Sequence, residues 1–289
     1  MIPAPLDYVR AQTLDEALTL LAQNEDAKIL AGGHSLIPAM KLRLATPPLL
    51  IDIGRIQDLS YIREKGDQIR IGAMTTHYQI ESSDLLKKIC PLLPECAGHI
   101  GDVQVRNKGT IGGSVAHSDP AGDWPAAVIA LNAELVVASK IGERTIKADD
   151  FFVDLMTTAL APGEILRELR IHKSSDRTGQ AYVKMHHPAS GFAVVGVAAN
   201  LTLDEKGVCL KASIGITGVS AKAYRATAVE AALIGTRIDD KTTASAAAHA
   251  TDDVDINGDL FASEDYRRHL AGVYTKRAVT AALKSAPAA

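Results

Sequence analysis

The chain has 289 residues, with 31 Lys and Arg against 34 Asp and Glu and a formal net charge of -3, so it is too long for one small module and long enough for two domains or a domain with subdomains. With a pI near 6.3, it has no global field to draw in nucleic acid or anionic lipid. The three cysteines, Cys90, Cys96 and Cys209, are too few for four-thiolate cluster ligation and lack zinc-like spacing. They read as free, mostly buried thiols. The nine histidines form no HxxxH or HExxH pattern, and His186-His187 reads as a loop feature, so no metal site is expected. The segment from Met1 to Asp7 lacks a basic region followed by an apolar one, and no run approaches about 18 uninterrupted apolar residues. A cytoplasmic location without a transmembrane segment is the expectation.

Thr13 to Glu16 has capping-box spacing, and Leu14, Ala17, Leu18 and Leu21 follow at helical intervals, predicting a helix over about residues 14 to 23. A short buried strand, Ala27 to Leu30, then runs into Ala31-Gly32-Gly33-His34-Ser35. Glycine tolerates positive φ and close backbone approach. Ser35 is placed to cap a helical turn through Leu36, Ile37, Ala39 and Met40, so strand, Gly-Gly turn and helix start form a plausible anion site. A tight turn without ligand is the competing reading. The spacing fits neither GxGxxG nor GxxxxGK[ST], so Rossmann and P-loop readings lose support.

Leu49 to Ile53 and Gln68 to Ala73 read as strands, the second alternating polar and apolar positions, so a small βαβ-like unit precedes a mixed region. Residues 78 to 100 look helical, interrupted by Pro91 and Pro94. The second glycine pair follows in Thr110-Ile111-Gly112-Gly113-Ser114, read as a second strand-to-turn junction that suits a pyrophosphate. Asp123 precedes Trp124-Pro125 and is placed as a helix cap.

Glu134 to Ser139 and the run around Thr145-Ile146 suggest a hairpin, with a further strand from Glu164 to Ile171. The polar stretch from His172 to Gln180 is the candidate domain boundary. Beyond it, Ala181 to His187, Phe192 to Leu203 and Val208 to Thr217 read as three strands, with a turn at Asp204 to Gly207. Helices follow at about residues 242 to 250 and 264 to 284. In the last, capped by Ser263, Leu270, Val273, Ala278, Ala281 and Ala282 form the apolar side, and Arg267, Arg268, Lys276 and Arg277 are expected mainly outward.

In order along the chain, AGGHSLIPAMKLR, RNKGTIGGSVAHSDPAGDWP, APGEILRELRI and SEDYRRHLAGVYTKRA resemble the FAD-binding medium subunits of molybdenum hydroxylases. This family includes those of carbon monoxide dehydrogenases and of xanthine dehydrogenase relatives. The resemblance spans nearly the whole chain. It implies an α+β fold: a FAD-binding domain of the vanillyl-alcohol oxidase type over residues 1–175, with subdomains of about 1–55 and 56–175, then a C-terminal domain over 180–289 with a three-stranded antiparallel sheet and helices.

For the cofactor, the resemblance implies that Ile29, Leu30, Ala31, Gly32, Gly33, His34, Ser35 and Leu36 form one FAD loop and Thr110, Ile111, Gly112, Gly113 and Ser114 the second, both around the pyrophosphate. Asp123 matches an acidic FAD contact, a role that competes or coexists with capping. Lys184 matches a lysine near the flavin ring, where a cation would stabilise the anionic reduced flavin; the alternative is a solvated strand lysine. Ile100 and Ile165 match apolar FAD contacts that could equally be core, and Phe192 is placed beside the ring. The segment from Met185 to Phe192 departs from the Lys-rich pattern with a Gly-Asp pair of carbon monoxide dehydrogenases, which weakens a specific CO assignment.

The implied function is electron transfer by FAD, from [2Fe-2S] clusters on a small subunit to an external acceptor, with substrate chemistry on a large molybdenum-cofactor subunit, in a dimer of heterotrimers. No catalytic acid, base or nucleophile is singled out here. The alternatives are a self-sufficient FAD oxidoreductase of the same superfamily and a cofactor-free scaffold.

Overall fold

The computed structural model describes residues 2–287. Its first unit is a three-stranded parallel sheet in the order β1-β3-β2, from β1 (Asp7–Arg10), β2 (Lys28–Leu30) and β3 (Leu49–Asp52). Helix α1 (Leu14–Gln23) joins β1 to β2 and is capped by Thr13, whose hydroxyl accepts from the Glu16 N–H, as its spacing predicts. Helix α2 (Leu36–Lys41) leads from β2 towards β3. Parallel pairing puts the connections after β1, β2 and β3 at the same edge of the sheet, where ligands collect in such folds.

A five-stranded antiparallel sheet follows, in the order β4-β5-β10-β6-β7. Strands β4 (Ile62–Lys65) and β5 (Gln68–Gly72) come first. Five short helices intervene: α3 (His77–Glu81), α4 (Asp84–Ile89), α5 (Leu92–Gly98), α6 (Val103–Arg106) and α7 (Ile111–His117). Pro91 stands at the N-terminal boundary of α5 and Pro94 lies within its first turn, where a missing N–H costs little. The second glycine pair therefore lies inside a helical turn, not in the loop that its sequence suggests.

Helix α8 (Asp123–Ala130) is buried along its whole length, a run too apolar to face water on any side. Strands β6 (Glu134–Ser139) and β7 (Gly142–Lys147) form the predicted hairpin. Helix α9 (Ala148–Phe151) and the small hairpin of β8 (Phe152–Asp154) and β9 (Thr157–Thr158) lead to β10 (Ile165–His172), which crosses the sheet centre. A bulge between Leu166 and Glu168 turns the Arg167 carbonyl to accept from the Ala73 N–H.

The last sheet has four strands, correcting the three expected: β11 (Thr178–His186), β12 (Ala193–Leu203), β13 (Cys209–Thr217) and a short β14 (Tyr224–Arg225). Only two residues long, β14 is too brief for any periodic signal. Helices α10 (Thr227–Leu233), α11 (Asp240–Ala247) and α12 (Glu264–Ser285) follow. Leu270, Ala271, Ala278, Val279 and Ala282 of α12 share a core with the sheet's Val195, Val197 and Ile214.

Arg267 is not outward, as its charge suggests, but buried. Its guanidinium donates to the Val194 and Gly218 carbonyls and to Asp259. These carbonyls meet α12 at its first turns, and a charged donor satisfies them where an apolar residue would leave them orphaned. Cys90, Cys96 and Cys209 are all buried free thiols, as expected. No described helix is long and apolar enough to cross a membrane.

Candidate cofactor site

The loop from Ala31 to Ser35 leaves the C-terminal end of β2. Gly33 turns it with φ +74°, a region that disfavours a Cβ. The α2 helix begins with the Ile37 N–H donating to the Gly33 carbonyl. Ser35 stands at the N-cap but in helical backbone, so its hydroxyl makes no cap bond. This corrects the predicted cap, which needs an extended N-cap residue. Four successive N–H groups, of Gly32, Gly33, His34 and Ser35, and the Ser35 hydroxyl find no acceptor among the described residues. Such a run of donors forms an anion-binding concavity. His34 is exposed and its Nδ1 lies 2.9 Å from the Gly32 carbonyl oxygen. Ile29, Leu30 and Leu36 flank the loop, half-buried.

The second segment is built differently. The Ile111 N–H donates to Thr75 O at 3.0 Å and the Gly112 N–H to Ala73 O at 2.9 Å. The Gly113 N–H reaches the Thr110 hydroxyl oxygen at 3.1 Å, and the Ser114 N–H donates to Thr110 O at 3.0 Å. The backbone donors from Ile111 to Ser114 are therefore engaged within the protein, and what the segment still offers is the Thr110 N–H, which finds no acceptor among the described residues, with the hydroxyl hydrogen of Thr110 and the hydroxyl of Ser114. Its glycines serve close approach: a Cβ on Gly112 would sit 2.7 Å from the Ala73 carbonyl oxygen, against the end of β5.

The two segments touch. A Cβ on Gly32 would strike the Lys108 carbonyl and lie 2.8 Å from Gly109 Cα, and Ala31 lies across from Gly113. Beneath Gly109 sits His77, 3% exposed, whose backbone N–H donates to Gly109 O at 3.0 Å. Trp124 Nε1–H donates to its Nδ1 at 3.0 Å. Burial, with His34 and Arg106 nearby, pushes the His77 pKa down to about 4. Arg106 ties the preceding turn, donating to Glu81 at 2.7 Å and to Ile100 O at 3.1 Å.

A second cluster gathers Asp123, Lys184 and the neighbourhood of Ile100. Lys184 Nζ lies 2.8 and 2.9 Å from the two Asp123 carboxylate oxygens and donates to His99 O at 3.0 Å, its side chain fully shielded from solvent. Tyr182 OH donates to Asp123 Oδ1 at 2.5 Å. Lys184 is therefore not a solvated strand lysine. Asp123 is the first residue of α8, with Gly122 at the N-cap, so its carboxylate serves the ion pair and does not cap. Burial pushes the Asp123 carboxyl up, while the Lys184 charge and the hydrogen bonds from Lys184 and Tyr182 pull it down; burial and the Asp123 charge raise the Tyr182 hydroxyl.

Ile165 lies elsewhere, buried in a core cluster with Ile51 and Met74 against which Ile29 and Ala31 of the first loop pack. Phe192 is 45% exposed at the β11–β12 turn, where its carbonyl accepts from the His187 N–H. Sequence reasoning missed His77 and Tyr182. The one available signal was the Thr76-x-x-Gln79 capping box, which fixes the start of α3 and so the place of His77.

Residues 4–173 match the model of the FAD binding domain in molybdopterin dehydrogenase, and residues 180–282 that of the CO dehydrogenase flavoprotein C-terminal domain. The chain is 40% identical over 283 residues to the carbon monoxide dehydrogenase medium chain of Hydrogenophaga pseudoflava, covering 98% of both. It is 36% identical over 279 residues to the glyceraldehyde dehydrogenase medium chain of Sulfolobus acidocaldarius, covering 96% of this chain and 98% of that one. Among solved structures, the Hydrogenophaga pseudoflava carbon monoxide dehydrogenase that lacks the Mo-pyranopterin moiety of its cofactor superposes with a TM-score of 0.96 at 41% identity, over 99% of this chain and 100% of that one.

Proposed function

Because this chain belongs to the FAD-binding medium subunits of molybdenum hydroxylases, we propose that it takes electrons from [2Fe-2S] clusters of a small partner subunit and passes them to an external acceptor. A large molybdenum-cofactor subunit performs the substrate chemistry, in a dimer of heterotrimers. The observation that carries the reading is the run of four acceptorless N–H groups from Gly32 to Ser35 at the edge of a parallel sheet. A run of outward-facing donors of this kind suits an anion brought from outside. The FAD pyrophosphate is the anion that the family supplies.

Bound FAD supplies the redox chemistry, taking up and releasing electrons one or two at a time. The chain's own residues hold and orient it. Gly33 sets the turn of the loop, and the Ser35, Thr110 and Ser114 hydroxyls add donors around the phosphates. Ile29 and Ile100 supply apolar contact, and Ile165 supports the loop from below. The Asp123–Lys184 pair and Phe192 are assigned to the flavin end. Because Asp123 neutralises Lys184 there, the pair fixes the wall of the site without adding net charge. The chain's three cysteines are too few for a four-thiolate cluster, which supports an iron–sulfur relay on a partner.

Reconstituting the purified chain with FAD and recording the flavin's visible absorbance tests the assignment. Gly33→Val should lower FAD affinity by about tenfold or more, since a β-branched residue at positive φ costs on the order of 1–2 kcal/mol and displaces several donors at once. Undiminished flavin content in that variant would refute the loop as the cradle. Co-purification should recover one subunit with molybdenum and one with iron and sulfide; full substrate turnover by the lone chain would refute the division of labour.

A further inference from the structure

His77 is a buried polar side chain with no role in the fold beyond one of its two ring nitrogens. Nδ1 accepts from the Trp124 indole N–H. In a neutral imidazole one nitrogen accepts and the other donates, so this bond places the proton on Nε2. Nε2 finds no hydrogen-bond partner among the described residues. It lies at the Lys108–Gly109 turn, where a Cβ on Gly109 would be 2.6 Å from it, and Gly32 of the first loop packs on that same turn. Nε2 is not among the fully enclosed side-chain atoms that lack a partner, so this otherwise buried ring opens to the surface at that turn, where its N–H is free to meet an acceptor from outside.

We propose that His77 Nε2–H is a neutral hydrogen-bond donor to the FAD pyrophosphate, positioned by Trp124 at the seam where the Gly32–Ser35 loop meets the Lys108–Gly109 turn. This rests on the cofactor reading above and adds to it a residue on neither glycine segment. In the chain without FAD, burial holds the ring neutral at neutral pH, so Nε2–H is already set as a donor before the phosphate arrives. The first loop supplies donors from one side of the seam and His77 supplies one from beneath.

Two substitutions separate this role from simple support of Trp124. In His77→Asn the side-chain oxygen takes the place of Nδ1 and keeps an acceptor for Trp124, while the Nε2 donor is gone. In His77→Gln an amide N–H reaches the place of Nε2. Equilibrium titration of the full-length apoprotein with FAD should show His77→Asn weakened by about tenfold or more, the range for a hydrogen bond to a charged group, with an unchanged melting temperature. His77→Gln should retain more affinity than His77→Asn. Equal losses in the two variants, or no loss in His77→Asn, would overturn the proposal. The unmodified chain gives a second readout that no folding defect can confuse: with 15N-labelled histidine, the Nε2–H signal of His77 should shift when FAD is added. A signal unmoved by bound FAD overturns the proposal, and a wild-type chain that takes up no FAD overturns the cofactor reading beneath it as well.

Discussion

The two glycine segments look alike in sequence and are opposites in structure. Gly32-Gly33 opens a loop whose backbone donors face no protein acceptor, whereas Gly112-Gly113 lies in the first turn of α7, with its donors engaged by Ala73 and Thr110. In the first segment Gly33 is needed for its backbone angle; in the second Gly112 is needed because α7 presses against Ala73. On the proposed reading, the first segment supplies backbone donors to the pyrophosphate, and the second braces the site and adds side-chain hydroxyls. A Gly-Gly pair thus reports that backbone comes close to something, without saying whether that is a ligand or the protein itself.

The sharpest way to break this contrast is Gly112→Val. Its Cβ meets the backbone and side chain of Ala73, which cannot swing aside, so the substitution should cost about 3 kcal/mol of stability by overpacking. Thermal unfolding should show the loss in the apoprotein, before any FAD is present, whereas Gly33→Val should act mainly on FAD affinity. An apo Gly112→Val chain as stable as the wild type would erase the distinction.

Acid offers a gentler probe of the brace. His77 has its pKa pushed from about 6.5 in the unfolded chain to about 4 when folded, so the unfolded state binds the extra proton first. Its contribution is fully present above about pH 6.5 and is lost as the pH falls towards 4, at most about 3 kcal/mol for a shift of this size. His77→Asn should flatten the stability curve between those limits relative to the wild type. Parallel curves would show that His77 is not the group responsible.

The smallest effect is expected from Ser35→Ala. Because the Ser35 hydroxyl makes no cap bond, stability should change by less than about 0.5 kcal/mol, the usual range for a surface change away from special features. FAD affinity should fall several-fold through loss of one phosphate donor, about 1 kcal/mol or somewhat more. A drop in melting temperature without a change in affinity would instead make Ser35 a structural cap.

Much of the fold was legible because it is local. The Thr13 cap of α1, the β6–β7 hairpin, the three long strands of the last sheet and the Ser263 cap of α12 each follow from spacing within a few residues. The chain order of the four segments carried the family. What stayed hidden depends on partners far along the chain. Arg267 reads as a solvent-facing charge until Val194 and Gly218 bring carbonyls to it. Asp123 reads as a helix cap until Tyr182 and Lys184 arrive from about sixty residues away.

By itself, then, the sequence determined most of the element types and marked the two glycine pairs as places of close backbone approach, because propensity, capping and backbone freedom act between near neighbours. Only the tertiary structure decided which junction keeps its donors free, which buried charges pair, and that His77 lies at the seam with one nitrogen unspent. Hydrogen-bond satisfaction is settled by every group within about 3 Å in space, however distant in sequence.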